Sequence, residues 1–320
     1  MILYILVFFI LIEVASYIVT LLFPHLCWGC TTLGKFHQHL NANYHLVYVS
    51  WFSYTVLMIY SIYIASQFKN RFVKCSSIVF LLALIYIPTL PITNIINLIM
   101  SISYNNPPFI HDYHTEFPAS VAIEKHAATI IDEFKQYTSI YKPDCLRKTN
   151  PAFKVEVSEK EENCWRALHL KKIGKIDPDM IEHFPITTSV LKDKQIHNAF
   201  FSILDPGVEI VPHVGYYKGY LRYHLGLIIP TGREKAYIVC GGKKYTWKEQ
   251  EGVLFDDLYL HHVKNPTNQT RVVLFLDIKR KTTSSFLDIL NTIGIYLIEN
   301  SLVLQLFLKN QHGQKKIKSA

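Results

Sequence analysis

Three long runs of apolar residues dominate the first hundred positions of the chain. They cover residues 1–23, 46–66 and 76–102, and each is at least as long as the roughly 20 residues that a helix needs to cross a bilayer. The first run has one charged side chain, Glu13, and it lacks the basic start and small-residue cleavage site of a signal peptide. The pattern therefore predicts a multi-pass integral membrane protein with a membrane region over residues 1–103.

The connection between the second and third runs is short and basic, because it contains Lys69, Arg71 and Lys74. Basic loops favour the cytoplasmic side of a membrane. Pro88 and Pro91 interrupt the third run, so that run either spans the bilayer or turns back within it. These two possibilities place the rest of the chain on opposite sides, and the pattern leaves both open.

A separate, β-rich domain is predicted for residues 104–283. Residues 105–108 read Asn-Asn-Pro-Pro, which is typical of a linker, and residues 119–137 place apolar side chains at helical spacing. Beyond residue 199, short apolar runs alternate with Pro-Gly, Thr-Gly, Gly-Gly and Asn-Pro breaks, which favours antiparallel strands. The predicted strands are 200–204, 221–229, 236–240, 252–255 and 271–278. We expect a mainly β fold with flanking helices, in the form of a small barrel or jelly roll.

The last segment, residues 284–320, mixes apolar and polar positions. Residues 286–308 are apolar in bulk but include Asp288 and Glu299, so an amphipathic helix at a membrane interface is favoured over a spanning one. A basic tail with Lys315, Lys316 and Lys318 follows. This combination predicts association with the bilayer surface through anionic lipid headgroups.

Composition changes this picture little. The chain has 320 residues, 50% of them hydrophobic, and a formal net charge of +8. Its basic residues are scattered and form no stripe with interleaved aromatic rings, so nucleic acid is excluded as a partner. Among the six cysteines, Cys145, Cys164 and Cys240 are isolated from one another in the predicted domain. Cys27 and Cys30 lie before His37 and His39 in a spacing that matches no standard zinc module.

Two histidines that end apolar runs are candidates for a metal site. His213 follows Val211-Pro212, and His261 follows Phe255-Asp256-Asp257 at a similar place in its own run. Each of the fifteen histidines taken alone is more simply a core or surface residue, but neutral imidazoles from separate strands are suitable ligands for a redox iron. His262 points to the opposite face of the same strand because side chains alternate along strands.

A candidate carboxylate site lies in two further apolar strands. Arg271 opens one of them, and its planar guanidinium fits a carboxylate through two parallel hydrogen bonds. His224 lies inside the other, beside Arg222. A buried histidine needs a hydrogen-bond partner, which is either another protein group or the carboxylate of a cosubstrate.

At these residues the chain resembles the aspartyl/asparaginyl β-hydroxylase family, which includes hydroxylases of lipid A acyl chains. The resemblance covers about residues 112–281 and rests on several motifs that agree in order and spacing. They are Phe201-Ser202-Ile203-Leu204-Asp205-Pro206-Gly207, Pro212-His213-Val214-Gly215, Leu221-Arg222-Tyr223-His224-Leu225-Gly226-Leu227, Phe255-Asp256-Asp257 with His261, and Arg271 with Asp277. The resemblance implies a double-stranded β-helix that uses iron(II), 2-oxoglutarate and dioxygen and releases succinate and carbon dioxide.

The resemblance also implies a role for each motif residue. His213 and His261 match the two iron ligands, while Gly215 stands where a third, carboxylate ligand is otherwise expected, so water completes that position. Ser202 and Arg271 match the ligands of the distal 2-oxoglutarate carboxylate. Arg222 and His224 match groups near the other carboxylate or the substrate. Asp256 or Asp257 orients a ligand histidine, or the two form only a turn.

The substrate stays open between two classes. One reading is β-hydroxylation of aspartyl or asparaginyl residues in a protein, and the alternative is hydroxylation of a lipid acyl chain near a membrane. A non-catalytic membrane scaffold with the same fold ranks lower, because the predicted ligands are present. A membrane di-iron hydroxylase is disfavoured, because the apolar runs lack dense histidine clusters.

Overall fold

The computed structural model describes most of the chain after residue 106. The described residues are 56, 59–84, 96–97, 99–100, 103–104, 107–300 and 314–316, except for 147–156, 159–162, 214, 216 and 232–234. The strands are β1 Phe109–Ile110, β2 Tyr141–Pro143, β3 Val157–Ser158, β4 Trp165–Lys172, β5 Lys175–Ile176, β6 Ile196–Leu204, β7 Glu209–His213, β8 Tyr220–Ile228, β9 Tyr237–Cys240, β10 Lys243–Thr246, β11 Gly252–Phe255, β12 His261–Lys264, β13 Arg271–Lys279 and β14 Gln314–Lys316. The helices are α1 Arg71–Leu84, α2 Tyr113–Glu116, α3 Ala119–Lys125, α4 Ala127–Ile140, α5 Pro178–Ile181, α6 Pro185–Val190 and α7 Ser285–Glu299.

Two antiparallel sheets form the body of the domain. The larger has the order β1-β11-β8-β13-β6-β4-β5 and the smaller has the order β10-β9-β12-β7-β3. Between β6 and β13 the chain passes repeatedly from one sheet to the other, which is the connectivity of a jelly roll. The predicted mainly β fold is therefore confirmed.

The alternation of side chains along β13 shows how the layers are held together. Val273 packs between the two sheets, whereas its neighbours Val272 and Leu274 pack on the outer face of the larger sheet. That outer face is covered by α3, α4 and α6, which contribute Ile123 and Phe134 among others. The predicted helix over 119–137 is two helices, because the backbone leaves helical geometry at His126.

The predicted multi-pass integral membrane protein requires correction. Within the ranges that the structure describes, no helix has both the length and the apolar character of a transmembrane segment. The first predicted segment, 1–23, lies entirely outside those ranges, and the segments 46–66 and 76–102 lie partly outside them.

Helix α7 packs one face against the domain. Leu287, Ile295 and Ile298 share a buried cluster with residues that precede the domain and with the loop before β8. Those partners are Ile96, Met100, Tyr104, Tyr217 and Tyr220. Asn291, a polar residue in this helix, is fully buried, and its Nδ2 donates to the carbonyl of Gly219 at 3.2 Å.

The view of the domain cysteines as isolated is wrong. Cys145 and Cys164, 19 positions apart, form a disulfide. The backbone N–H of Cys164 donates to Asp205 Oδ2 at 3.1 Å, and Arg166 pairs with the same oxygen at 2.9 Å. The disulfide therefore joins the segment after β2 to the residue before β4, and that residue is in turn bonded to Asp205 in the loop that leads into β7.

Candidate metal and cosubstrate site

The two histidines predicted as metal ligands lie side by side on the smaller sheet. Strand β12 pairs with β7, and His261 is the direct cross-strand partner of His213. Their imidazole centroids are 4.1 Å apart. His262 lies on the other face of β12, as the alternation predicts, and its ring contacts Tyr237.

Main-chain carbonyls orient both imidazoles in the same way. His213 Nδ1 lies 2.8 Å from the carbonyl oxygen of Val211, and His261 Nδ1 lies 2.9 Å from that of Tyr259. A carbonyl only accepts, so each Nδ1 carries the hydrogen and each Nε2 keeps its lone pair. Burial and the nearby His213 lower the pKa of His261 well below its usual range, so its ring stays neutral. Two imidazoles with available Nε2 atoms are suited to a transition metal.

The expectation that Asp256 orients a ligand histidine is wrong. Its carboxylate pairs instead with Lys218 Nζ at 2.5 Å and with Arg280 Nη2 at 2.9 Å. All three side chains are buried. Burial opposes ionisation of Asp256, but Arg280 and Lys218 together hold its pKa below the ordinary value. Asp256 thus fixes the loop before β12.

Asp257 lies against Gly215, two positions after His213. Its main-chain oxygen accepts from Gly215 N at 2.7 Å, and a Cβ at Gly215 would overlap its carboxylate. Gly215 is therefore the residue that leaves room for Asp257. Asp257 Oδ1 is buried and has no hydrogen-bond partner among the described residues. Among the residues that the structure describes, no group of three or more His, Cys, Asp or Glu side chains is arranged to hold a metal ion.

Arg222 is held by two carboxylates rather than facing an open position. Its Nε pairs with Asp257 Oδ2 at 2.9 Å, and its Nη1 pairs with Asp277. A direct contact between Arg222 and a cosubstrate carboxylate, as the sequence suggested, does not follow from this arrangement. The guanidinium instead links β8, β13 and the loop after β11.

Arg271 and His224 form a buried polar region with unmet hydrogen-bonding capacity. Arg271 is 1% exposed, and its Nε and Nη1 lack partners within the described residues. Burial lowers its pKa to about 9, so it remains charged at neutral pH. Both ring nitrogens of the buried His224 also lack described partners, and burial, with Arg271 and Arg222, lowers its pKa well below the usual range.

Ser202 lies on β6, directly opposite Val273 of β13. Its Oγ accepts a hydrogen bond from Trp165 Nε1 at 3.0 Å. Because an accepted bond leaves the hydroxyl hydrogen available, Ser202 can still donate to an anion. An unpartnered buried guanidinium near a free hydroxyl donor is a chemically suitable site for a carboxylate.

Sequence reasoning missed several residues that shape the site. Trp165 and Trp247 contact Ser202 and Arg271, while Lys218 and Arg280 bind Asp256. One available signal was Trp247, a large apolar residue within the otherwise polar stretch 243–251. Pairings such as Lys218 with Asp256 have no local signature, because they join residues that are distant in sequence.

Comparison with known proteins finds a matching family model and similar hydroxylases. Residues 124–281 match the family model described as aspartyl/asparaginyl beta-hydroxylase. The ornithine lipid ester-linked acyl 2-hydroxylase of Rhizobium tropici is 34% identical over 178 residues, which are 54% of this chain and 60% of that protein. The human aspartyl/asparaginyl beta-hydroxylase is 35% identical over 99 residues, which are 31% of this chain and 12% of that protein. The chain thus spans less than two thirds of either relative.

A solved structure also overlaps the chain. It is a prolyl hydroxylase from Trichoplax adhaerens in complex with a hypoxia inducible factor peptide fragment, at a TM-score of 0.35 and 10% identity. The overlap covers 53% of this chain and 81% of that one.

Proposed function

Because residues 124–281 place this chain in the aspartyl/asparaginyl beta-hydroxylase family, we propose that it is an iron(II)- and 2-oxoglutarate-dependent hydroxylase. The observation that carries the proposal is the pair formed by His213 and His261, whose Nδ1 atoms are both engaged by carbonyls. This arrangement leaves two Nε2 atoms, from adjacent strands, available to coordinate a metal. The buried, unpartnered Arg271 supplies the matching site for an acidic cosubstrate.

Iron(II) would be held by His213 and His261. When bound, the iron and 2-oxoglutarate use dioxygen to convert a C–H bond of the substrate to C–OH, with succinate and carbon dioxide as coproducts. The protein contributes ligand orientation, because the carbonyls of Val211 and Tyr259 prevent either imidazole from rotating freely. Asp257 Oδ1, buried and without a described partner, can accept a hydrogen bond from water at the position that Gly215 leaves without a ligand.

The distal carboxylate of 2-oxoglutarate would be held by Arg271 and Ser202. Arg271 offers Nε and Nη1, and the carboxylate would compensate a charge that is otherwise buried alone. His224, neutral at physiological pH by its lowered pKa, would supply a ring N–H to the cosubstrate. Phe255 and Phe275 contact the His224 ring and exclude water from this part of the site.

Arg222 is proposed as a positioning residue. Its two ion pairs set the direction of the Asp257 carboxylate, and Asp277 is in turn fixed by Asn198 Nδ2 at 2.9 Å. These contacts run from Asn198 through Asp277 and Arg222 to Asp257. They therefore join β6, β13 and β8 of the larger sheet to the loop that carries Asp257. This role needs no contact between Arg222 and the cosubstrate.

For the substrate, we favour an acyl chain of an amphiphilic lipid. Similarity to the acyl 2-hydroxylase extends over 178 residues, whereas similarity to the human peptide hydroxylase extends over 99. Helix α7 also presents Phe286, Ile289 and Tyr296 to solvent, an apolar surface compatible with an amphiphile. Hydroxylation of an aspartyl or asparaginyl residue in a protein is the second candidate, supported by the family model.

The experiment is to supply the full-length protein with iron(II), 2-oxoglutarate and either an ornithine lipid in micelles or an aspartyl-containing peptide. The favoured outcome is succinate release coupled to a 16 Da gain on the lipid acyl chain, with the expected mass increase following from insertion of one oxygen atom. A gain on the peptide alone would select the second candidate. Absence of succinate with either substrate, despite iron binding, would support the non-catalytic scaffold instead.

A further inference from the structure

Three buried side chains between the sheets share unmet hydrogen-bonding capacity. Besides Arg271 and His224, the group includes Trp247, which is 2% exposed and whose Nε1 has no partner in the described parts of the chain. The Arg271 guanidinium carbon lies 4.8 Å from the Trp247 ring centroid. The His224 ring stacks on Trp247 with centroids 5.9 Å apart and an interplanar angle of 26°.

A close backbone approach brings Trp247 to this position. Gly226 lies two residues after His224 on β8 and therefore on the same face of the strand. A Cβ at Gly226 would collide with the carbonyl oxygen of Lys248. The turn between β10 and β11 forms two main-chain hydrogen bonds with Gly226. Gln250 N donates to the Gly226 oxygen at 2.7 Å, and Gly226 N donates to the Glu251 oxygen at 3.1 Å.

Packing alone does not account for the Trp247 indole. A phenylalanine could supply an aromatic face at this position without an N–H, and burying a donor without a partner costs free energy. The face of the indole already stabilises the Arg271 cation. A carboxylate has about four lone-pair sites, and Arg271 can occupy two of them through Nε and Nη1, so one anion can satisfy Arg271 and Trp247 together.

We propose that Trp247 is a further cosubstrate-binding residue, whose indole N–H donates to the same distal carboxylate that Arg271 binds. Gly226 acts as a positioning residue, because it admits the turn that carries Trp247. The inference rests on the proposed 2-oxoglutarate dependence and adds a specificity determinant to it. Trp247 selects keto acids that have a second carboxylate over those that end in a methyl group.

Calorimetric titration of the full-length, zinc-loaded protein tests this without turnover. The probes are 2-oxoglutarate and 2-oxopentanoate, which carries a methyl group in place of the distal carboxylate. Trp247→Phe retains an aromatic face but removes the donor, and Tyr237→Phe on β9 is the matched control. We expect Trp247→Phe to raise the Kd of 2-oxoglutarate at least about tenfold, as for loss of a hydrogen bond to a charged group, and to change that of 2-oxopentanoate less than about twofold.

The outcomes separate this inference from the function on which it rests. If the unmutated protein binds 2-oxoglutarate and Trp247→Phe binds it equally well, the Trp247 assignment is overturned and the proposed function stands. An equal loss for both keto acids would show that Trp247 only packs the site. If the unmutated protein does not bind 2-oxoglutarate, the proposed function fails and this inference fails with it.

A second measurement covers the case in which Trp247→Phe does not fold. Indole N–H signals are recorded by NMR on the unmutated protein with labelled tryptophan, of which the chain has four. Saturating 2-oxoglutarate should move two of them downfield, Trp247 and, through Ser202, Trp165, while 2-oxopentanoate moves neither. Absence of a downfield shift at the Trp247 signal would contradict direct donation by Trp247.

Discussion

The imidazole of His213 lies beside that of His261, with centroids 4.1 Å apart across two hydrogen-bonded strands. Neither ring can serve the other as a strong partner, because each Nδ1 already donates to a carbonyl two residues earlier. Their Nε2 lone pairs are therefore a ready binding site for a metal.

Removal of either imidazole should abolish tight metal binding. We expect His213→Ala and His261→Ala each to reduce iron(II) or cobalt(II) affinity at least about a hundredfold, since one protein ligand would remain of two. His262→Ala, next in sequence but on the opposite face, is the control and should bind metal as the unmutated protein does. Metal titration followed by absorption measures the effect. Equal affinity in His262→Ala and His261→Ala would contradict the assignment.

A methyl group at Gly215 should disturb the site through Asp257. The added Cβ would occupy the space of the Asp257 carboxylate, and overpacking of this kind costs about 1–3 kcal/mol of unfolding free energy. Chemical denaturation of Gly215→Ala measures this cost. Combination with Asp257→Gly should recover part of it, because the overlap disappears; additive losses in the double variant would show that the two residues do not conflict.

Replacement of Asp256 should destabilise the protein strongly. Asp256→Asn leaves Lys218 and Arg280 buried without a full negative charge, and breaking such a group costs about 3–5 kcal/mol. Because the folded-state pKa lies below the ordinary 3.8, the stability that this carboxylate contributes is present above about pH 4 and is lost as pH falls through the lowered value. The variant should therefore show a smaller loss of stability than the unmutated protein over that acidic range in urea denaturation. An unchanged unfolding free energy at pH 7 would contradict this account.

Arg271 should lower the stability of the protein without cosubstrate and be required for the binding of 2-oxoglutarate. Without a cosubstrate its charge is buried and uncompensated, so we expect Arg271→Met to raise the free energy of unfolding by about 1 kcal/mol or more. The same variant should lose the increase in Tm that 2-oxoglutarate gives the unmutated protein. Differential scanning calorimetry with and without 2-oxoglutarate measures both effects. A less stable variant that still responds to 2-oxoglutarate would refute the proposed role.

The disulfide should stabilise the domain by joining the segment after β2 to the start of β4. Replacement of Cys145 and Cys164 by serine is expected to cost about 2–5 kcal/mol of unfolding free energy. Cys75, an exposed free cysteine, provides the control as Cys75→Ser, which should leave stability unchanged. Denaturation under non-reducing conditions distinguishes them; identical midpoints for both variants would show that the disulfide contributes nothing.

The features that the sequence predicted well are those that depend on local alternation. Apolar runs with Gly and Pro breaks predicted β6, β8, β9, β11 and β13 of the jelly roll, but not β7 or β12, the strands that carry His213 and His261. The same rule separated His261 from His262. Helix α4 followed from spacing, although the break at His126 depends on packing between α3 and α4, for which spacing gives no signal.

The features that the sequence did not predict depend on tertiary contacts. Arg222 meets Asp277 only because β8 and β13 are neighbours, and Cys145 meets Cys164 only because the chain returns to β4. Asp256 and Asp257 are adjacent in sequence and appear equivalent, yet one faces Lys218 and the other faces Arg222. The membrane prediction rested on hydropathy alone, and the described helices do not have the length that it required.

The buried pairing of Asp256 has a consequence for where the autonomous folding unit begins. Lys218 N donates to Asn97 Oδ1 at 2.9 Å, and the Arg280 guanidinium lies over the ring of Tyr104 at 5.5 Å. Both contacts come from residues ahead of the family match, which starts at 124. A fragment limited to residues 124–281 would lose these two contacts with Lys218 and Arg280, the residues that pair with Asp256. The smallest fragment that retains an intact site therefore starts before Asn97 and extends through α7.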